Sequence, residues 1–275
     1  LCLIGAVWLL VPRMANAAVA LGLGVLLAGA VQLAFQLPFL HICNRLPRPR
    51  LKAHGSNDEV GAQGVQQVFR LMLPAIFGMS IAQINLLINT LLASFLVTGS
   101  VSWLYYSDRL MEFPLGVFGI ALATAILPTL SAQYTRAAEG AFADTLDWAL
   151  RLVFLVTVPA AAALAVLATP FMAVLFERGE FSPNDALMAA RSLAAFALGL
   201  VPFALVKVLA PGFYARQDTK TPVRAGVVAM GVNALVAVAL VFSLAHVGLA
   251  LATSVAGVVN AALLYRYLVR DTGFT

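Results

Sequence analysis

Long apolar stretches separated by short polar turns make up most of this 275-residue chain. A helix that crosses a bilayer core of about 30 Å needs about 20 mainly apolar residues. The apolar run at 1–11 is shorter than that, so we expect the end of a helix there and a chain that is part of a longer protein. The complete spans that the pattern predicts lie near 16–42, 69–96, 101–131, 146–169, 187–213, 222–244 and 247–269.

The polar positions predict how these spans are connected and oriented. The longest polar segment, 43–65, is marked by Pro and Gly and is the expected linker between two helix bundles. Lys and Arg concentrate at one set of loops, which the positive-inside rule places in the cytoplasm. The predicted cytoplasmic segments are 43–65, 132–145, 214–222 and the C-terminus, and the predicted external loops are 97–100, 176–186 and 245–247.

Composition identifies the solvent of these helices as lipid. The chain is 62% hydrophobic and 11% charged, with a mean hydropathy of +0.94, whereas soluble domains carry about 25% charged residues. The net charge of +5 belongs to the membrane-flanking loops, so we expect no nucleic-acid partner. The cysteines and histidines are scattered, and no nucleotide-binding or catalytic motif appears. We therefore expect an all-α polytopic membrane protein that binds no metal or cofactor and is not an enzyme.

One predicted span carries charges in its centre. The segment SWLYYSDRLMEFPLGVFGIAL, at 102–122, contains Asp108, Arg109 and Glu112. At about 1.5 Å per residue, Arg109 lies about 15 Å from the predicted turn at Gly99, near the middle of a bilayer. Insertion scales assign about 2.5–3.5 kcal/mol to each central Arg or Asp. Such a cost indicates that these side chains have a role.

The spacing places most of the polar side chains on one helix face. Arg109 and Glu112 are three residues apart and are predicted to pair, and Asp108 lies beside that face within reach of Glu112. Two interpretations fit: a structural ion network, or the wall of a hydrated cavity that receives an anionic substrate. The predicted stripe follows steps of three and four through Ser102, Tyr105, Arg109, Glu112, Gly116, Gly119 and Ala123.

Three segments of the chain resemble a known transporter family. Residues 100–131 and 71–96 are similar to transmembrane helices eight and seven of the MurJ (MviN) lipid II flippases, and residues 206–223 are similar to a family signature that joins helices ten and eleven. These flippases belong to the multidrug/oligosaccharidyl-lipid/polysaccharide exporter superfamily. The resemblance implies a transporter bundle of fourteen helices in two lobes around a cationic cavity, of which this chain covers helices five to twelve.

The resemblance also implies a domain organisation and a function. Residues 1–42 would end the N-terminal lobe, 43–65 would link the lobes, and 66–275 would form the C-terminal lobe without its last two helices. The implied function is alternating-access transfer of lipid II, an undecaprenyl-diphosphate-linked disaccharide-pentapeptide, to the outer leaflet of the bacterial inner membrane. An exporter of drugs or of another polyprenyl-linked glycan is the alternative. The implied partners are lipid II, membrane lipids and other cell-wall synthesis proteins.

The site residues follow from the family motif and from one isolated lysine. An essential Arg and Glu of the family fall on Arg109 and Glu112, with Asp108 beside them, and Ser102 matches a cavity-facing serine. Lys207 lies inside a predicted span, where it either faces the cavity or extends toward the cytoplasm. These five residues are the predicted substrate-binding set.

Neutral polar residues inside the spans allow two interpretations of their role. The first is hydrogen bonding between helices, and the second is a cation site between family helices seven, eleven and twelve. Ala237, one turn after Asn233, stands where a carboxylate would favour a cation. The residues concerned are Asn85, Asn89, Asn233, Thr253 and Asn260.

Overall fold

The chain is helical throughout the part that the structure describes. In this computed structural model the described residues contain helices and turns and no β-strand, which confirms the predicted all-α class. Their contacts form two compact units, Leu1–Ala62 and Gln63–Thr275. The predicted linker at 43–65 lies outside the described residues. Those residues are 2–9, 12, 14, 17–42, 69, 72, 76, 80–81, 83–136 and 139–272.

The first unit contains α1 (Cys2–Leu9) and α2 (Ala17–Ile42), which pack against each other. Large apolar side chains on α2 remain exposed, including Leu26 at 71% and Phe35 at 69%. A helix that is apolar on all sides is suited to lipid rather than water. The bounds of α2 agree with the predicted span at 16–42.

The second unit is a bundle of helices that differ widely in length. A continuous rod forms from α4, a π-helical segment and α5, and α6 is separated from the short α7 by a break at Leu167. The remaining long helices are α8 and α9. The bounds are α3 (83–94), α4 (Ser100–Pro114), the π segment (Leu115–Ile120), α5 (Ala121–Thr135), α6 (Glu139–Val166), α7 (Ala168–Phe176), α8 (Pro183–Ala215) and α9 (Lys220–Thr272).

Five helices in the described ranges are long and apolar enough to cross a membrane. Four of them coincide with predicted single spans. The fifth, Lys220–Arg270, is 51 residues long and contains the predicted spans 222–244 and 247–269. The predicted span at 69–96 is described in part, and its described residues are helical up to residue 94.

A sharp reversal at Ala245 divides α9 into two helices, here called α9a (220–244) and α9b (246–272). Ala245 has φ 47° and ψ −128°, which is not helical. The two halves pack together beside it, because a Cβ atom built on Gly248 would lie 2.6 Å from the carbonyl oxygen of Leu240. Only glycine fits there, and the turn agrees with the predicted external loop at 245–247.

The central helix of the second unit is α8. It packs against α4, α5, α6, α7 and α9, and 56% of an 18-residue apolar stretch of it is buried, compared with 22% for such stretches of the other long helices of this unit. Its first turn is fixed by a capping box between Ser182 and Asp185, with Pro183 at the first helical position. Helices associate in lipid through close packing of small side chains. The buried alanines of α8 are 186, 189, 190, 195, 197, 204 and 215.

Candidate functional site

Arg109 and Glu112 form an ion pair on the exposed face of α4. Nη1 of Arg109 lies 2.6 Å from Oε2 of Glu112, and the two side chains are 54% and 49% exposed. The guanidinium carbon also lies 5.1 Å from the ring centroid of Tyr105, one turn earlier, in a cation–π contact. The predicted pairing is confirmed. Both contacts orient a permanently charged side chain that remains accessible.

The predicted polar stripe does not continue unchanged past this pair. Ser102 is exposed, as are Tyr105, Arg109 and Glu112, but Gly119 is buried. The reason is the π-helical segment Leu115–Ile120, which directly follows Pro114. A proline lacks the N–H that an α-helical turn requires, and a π turn holds extra residues, so the face that follows rotates by up to about 100°. The continuous α-helical face expected from the spacing is therefore wrong beyond Pro114.

A cavity of about 710 Å³ lies behind this helix in the second unit. Asp108 and Glu112 of α4 line it, together with Lys207 of α8. Arg109 and Ser102 are not among its lining residues. Neutral hydrogen-bonding groups also face the cavity, namely Asn85, Tyr214, Thr219, Thr253 and Asn260.

Lys207 reaches this cavity because α8 passes close to the π segment. A Cβ atom built on Gly119 would lie 3.6 Å from Cγ of Lys207, so the lysine stem packs against the α4–α5 rod. The structure thus places Lys207 at the wall of this cavity. Among the described residues, two ion pairs are found, and neither includes Lys207 or Asp108. The cavity therefore contains charges of both signs that have no ion-pair partner there.

A part-buried hydrogen-bond network joins α3 to both halves of α9. The side-chain amide of Asn233 donates to Oδ1 of Asn85 at 2.6 Å and to Oδ1 of Asn89 at 3.0 Å. Asn89 in turn donates to Oγ1 of Thr253 at 3.1 Å. The predicted hydrogen bonding between helices is confirmed for these four residues. In the described part of the chain, no cluster of His, Cys, Asp and Glu is suited to a metal ion.

Sequence reasoning found some of the cavity residues and missed others. It named Asp108, Glu112 and Lys207 from charge alone, since a charge inside an apolar span is conspicuous. It did not predict that Tyr214 and Thr219 line the cavity. These residues lie on either side of the C-terminal end of α8, and polar residues are common at the ends of membrane helices. Only the approach of α8 to α9a brings these two residues to the cavity.

The whole chain matches a single family model. Residues 1–275 match the model described as lipid II flippase MurJ. The chain belongs to the MurJ lipid II flippase family. It is accordingly an integral multi-pass protein of the bacterial inner membrane, from a family of transporters rather than enzymes.

Named relatives agree with this family. A protein of Vibrio cholerae serotype O1 described as a probable lipid II flippase MurJ is 51% identical over 95% of this chain and 48% of its own length. The lipid II flippase MurJ of Burkholderia cenocepacia is 41% identical over 92% of this chain and 49% of its own length. The chain thus spans about half the length of the curated relatives that it matches.

Solved structures of transporters share the fold. A MOP superfamily transporter from Pyrococcus furiosus superimposes with a TM-score of 0.64 at 16% identity, covering 73% of this chain and 44% of that chain. A MATE transporter in a bent conformation gives a TM-score of 0.64 at 17% identity, covering 74% of this chain and 45% of that chain. At these identities the likeness concerns the architecture alone.

Proposed function

We propose that the whole protein transfers lipid II from the inner to the outer leaflet of the bacterial inner membrane. Membership of the MurJ family supports this function. The observation that carries it is the placement of Arg109, a permanently charged and accessible side chain inside a 36-residue helix that is long and apolar enough to cross a membrane. The proposed role of Arg109 is to bind the diphosphate of the substrate.

The chemistry of the ion pair suits reversible binding of a phosphate. A guanidinium group forms two parallel hydrogen bonds with phosphate oxygens and stays charged at every physiological pH. In this structure Glu112 pairs with the guanidinium of Arg109 at 2.6 Å. A diphosphate replaces one anionic partner by another, so Arg109 is never left unpaired. Tyr105 keeps the guanidinium in place during the exchange.

The proposed architecture assigns the two parts of the chain to different lobes. Residues 66–275 form most of the C-terminal lobe, 1–42 end the N-terminal lobe, and 43–65 connect them. Rocking of two such lobes around a central site would expose that site to one leaflet and then to the other. Ser102 lies on the same exposed face as Arg109 and is proposed to contact the headgroup.

Complementation tests this function. The whole protein would be produced in bacteria depleted of their own lipid II flippase, as wild type, Arg109→Ala, Arg109→Lys and Arg151→Ala. Arg151 is the matched control, because it is an exposed arginine that pairs with Asp147 at 2.7 Å on α6, away from the site.

We expect the wild type and Arg151→Ala to restore growth and Arg109→Ala to fail at equal membrane abundance. Arg109→Lys should restore growth in part, since lysine keeps the charge but loses the paired hydrogen bonds. Growth restored by Arg109→Ala would exclude the diphosphate role of Arg109. Failure of an abundant wild-type protein, repeated as absent lipid II flux in proteoliposomes, would reject lipid II as the substrate.

A further inference from the structure

We propose that the cavity behind α4 is a recognition pocket for a zwitterionic amino-acid group in the peptide of the lipid-linked substrate. Asp108 and Glu112 would bind a primary ammonium group, and Lys207 would bind a carboxylate. This inference rests on the proposed function and deepens it, because it assigns a second contact region to the same headgroup.

The charges of the cavity carry the proposal. Its wall holds two carboxylates on α4 and one ammonium on α8, and neither Asp108 nor Lys207 has an ion-pair partner among the described residues. Asp108 is half-buried, whereas Lys207 and Glu112 are exposed, so all three are open to a ligand that enters the cavity. A ligand that bears one group of each sign would pair with both walls. A purely anionic or purely cationic ligand would be repelled by one wall.

The size and the neutral lining fit a peptide segment. A volume of about 710 Å³ lies within the range of about 300–1,000 Å³ that is typical of small-molecule sites. Thr253 and Tyr214 supply hydroxyl groups, and Asn260 supplies an amide. Oδ1 of Asn260 is buried and accepts no hydrogen bond from the described residues. A small rotation of that amide would give a peptide N–H an acceptor.

Glu112 connects this pocket to the proposed diphosphate site. It pairs with Arg109 on the exposed face and also lines the cavity. A ligand whose phosphate reaches Arg109 therefore lies beside a residue that also lines the pocket. The same exchange that frees Glu112 from Arg109 would make this carboxylate available to an ammonium group.

Binding of three matched lipids to the whole protein in nanodiscs tests the pocket. All three carry the undecaprenyl diphosphate and the disaccharide. The first has the intact peptide, the second has the amine of its zwitterionic amino-acid residue acetylated, and the third has the carboxylate of that same residue amidated. We expect the wild type to bind the intact lipid about tenfold more tightly than either modified form, since one charged hydrogen bond is worth about 1.5 kcal/mol.

Single substitutions test which residue is responsible for the preference for the free amine and which for the preference for the free carboxylate. Asp108→Asn should weaken the preference for the free amine, because Glu112 alone remains to bind the ammonium, and it should keep the preference for the free carboxylate. Lys207→Met should do the reverse. Asp147→Asn and Lys220→Met are matched controls outside this cavity, and both should keep the two preferences.

Two outcomes would overturn the pocket. If the wild type binds all three lipids equally while Arg109→Ala loses them all, the peptide pocket is rejected and the proposed function stands. If the double exchange Asp108→Lys with Lys207→Asp restores transport that each single change abolishes, the charges pair with each other in another conformation. Failure to bind any of the three lipids would instead reject the proposed function.

Discussion

Nε1 of Trp103 donates a 2.7 Å hydrogen bond to Oδ1 of Asp185, which lies 82 residues further along the chain. The other oxygen of that carboxylate accepts from the backbone N–H and the hydroxyl of Ser182 at 2.9 and 2.6 Å. The ring of His246, the first residue of α9b, contacts the indole edge to face at a centroid distance of 4.9 Å. One tryptophan therefore joins α4, α8 and α9 at the same end of the bundle.

Trp103→Phe should destabilise this end of the bundle. The variant keeps a ring for packing but loses the donor to Asp185, and we expect a loss of about 1 kcal/mol in the free energy of unfolding. The measurement is thermal unfolding of the purified protein in detergent. Trp148→Phe is the matched control, because Trp148 is 57% exposed. Equal melting temperatures for both variants would show that the hydrogen bond contributes nothing.

Asn233→Ala should loosen the contact of α3 with α9. The change removes the donor to Asn85 and Asn89 and leaves their carbonyl oxygens without that partner. Hydrogen bonds between membrane helices average about 0.6 kcal/mol, and the half-buried oxygens left without this donor add to the loss, so we expect about 1–2 kcal/mol. Asn184→Ala, at an exposed position of α8, is the control. Hydrogen exchange of α3 that stays unchanged in Asn233→Ala would contradict the role of this network.

Gly257→Ala should disturb the crossing of α8 and α9b. An added Cβ would lie 2.6 Å from Cε1 of Phe203, so this ring must move, at an expected loss of about 1–3 kcal/mol. A Cβ atom added at Gly231 would have no neighbouring atom within 4 Å. Gly231→Ala should therefore stabilise the protein by up to about 1 kcal/mol, because alanine restricts the conformations of the unfolded chain. Thermal unfolding of both variants tests the pair, and a destabilised Gly231→Ala would refute this account.

Asp218 should make the start of α9 sensitive to acid. Burial raises the pKa of this carboxyl, but hydrogen bonds from Thr221 and Lys220 and the charge of Arg216 outweigh it and hold the pKa below its usual value. Because the folded pKa is lowered, the stabilisation is present above the unfolded pKa of about 4 and is lost as the pH falls through the folded value.

The measurement is the melting temperature of wild type and Asp218→Asn between pH 7 and pH 3. Asparagine keeps an acceptor for the backbone N–H groups but carries no charge. The advantage of the wild type should therefore shrink as the pH falls below about 4. A difference that is constant over this range would mean that the charge of Asp218 has no part in stability.

The sequence by itself determined the membrane class, the positions of the helices and the pairing of Arg109 with Glu112. Hydropathy depends on composition within one helix, and the contact between residues three apart depends only on the α-helical period. The helix start at Ser182-Pro183 could likewise be predicted from the sequence, since an N-cap residue and its hydrogen-bond partner lie within one turn. Local chemistry decides all of these features.

Tertiary structure decided which charged residues share a cavity. Lys207 lines the same cavity as Asp108 and Glu112 only because α8 packs against the rod formed by α4, the π segment and α5. The rotation of the helix face after Pro114 could not be predicted from the sequence either. A proline in a helix permits a kink, a π turn or an undistorted helix, and the packing of neighbouring helices selects among them. Contacts between residues about 100 positions apart depend on how whole helices fit together, and the period of a single helix carries no information about that fit.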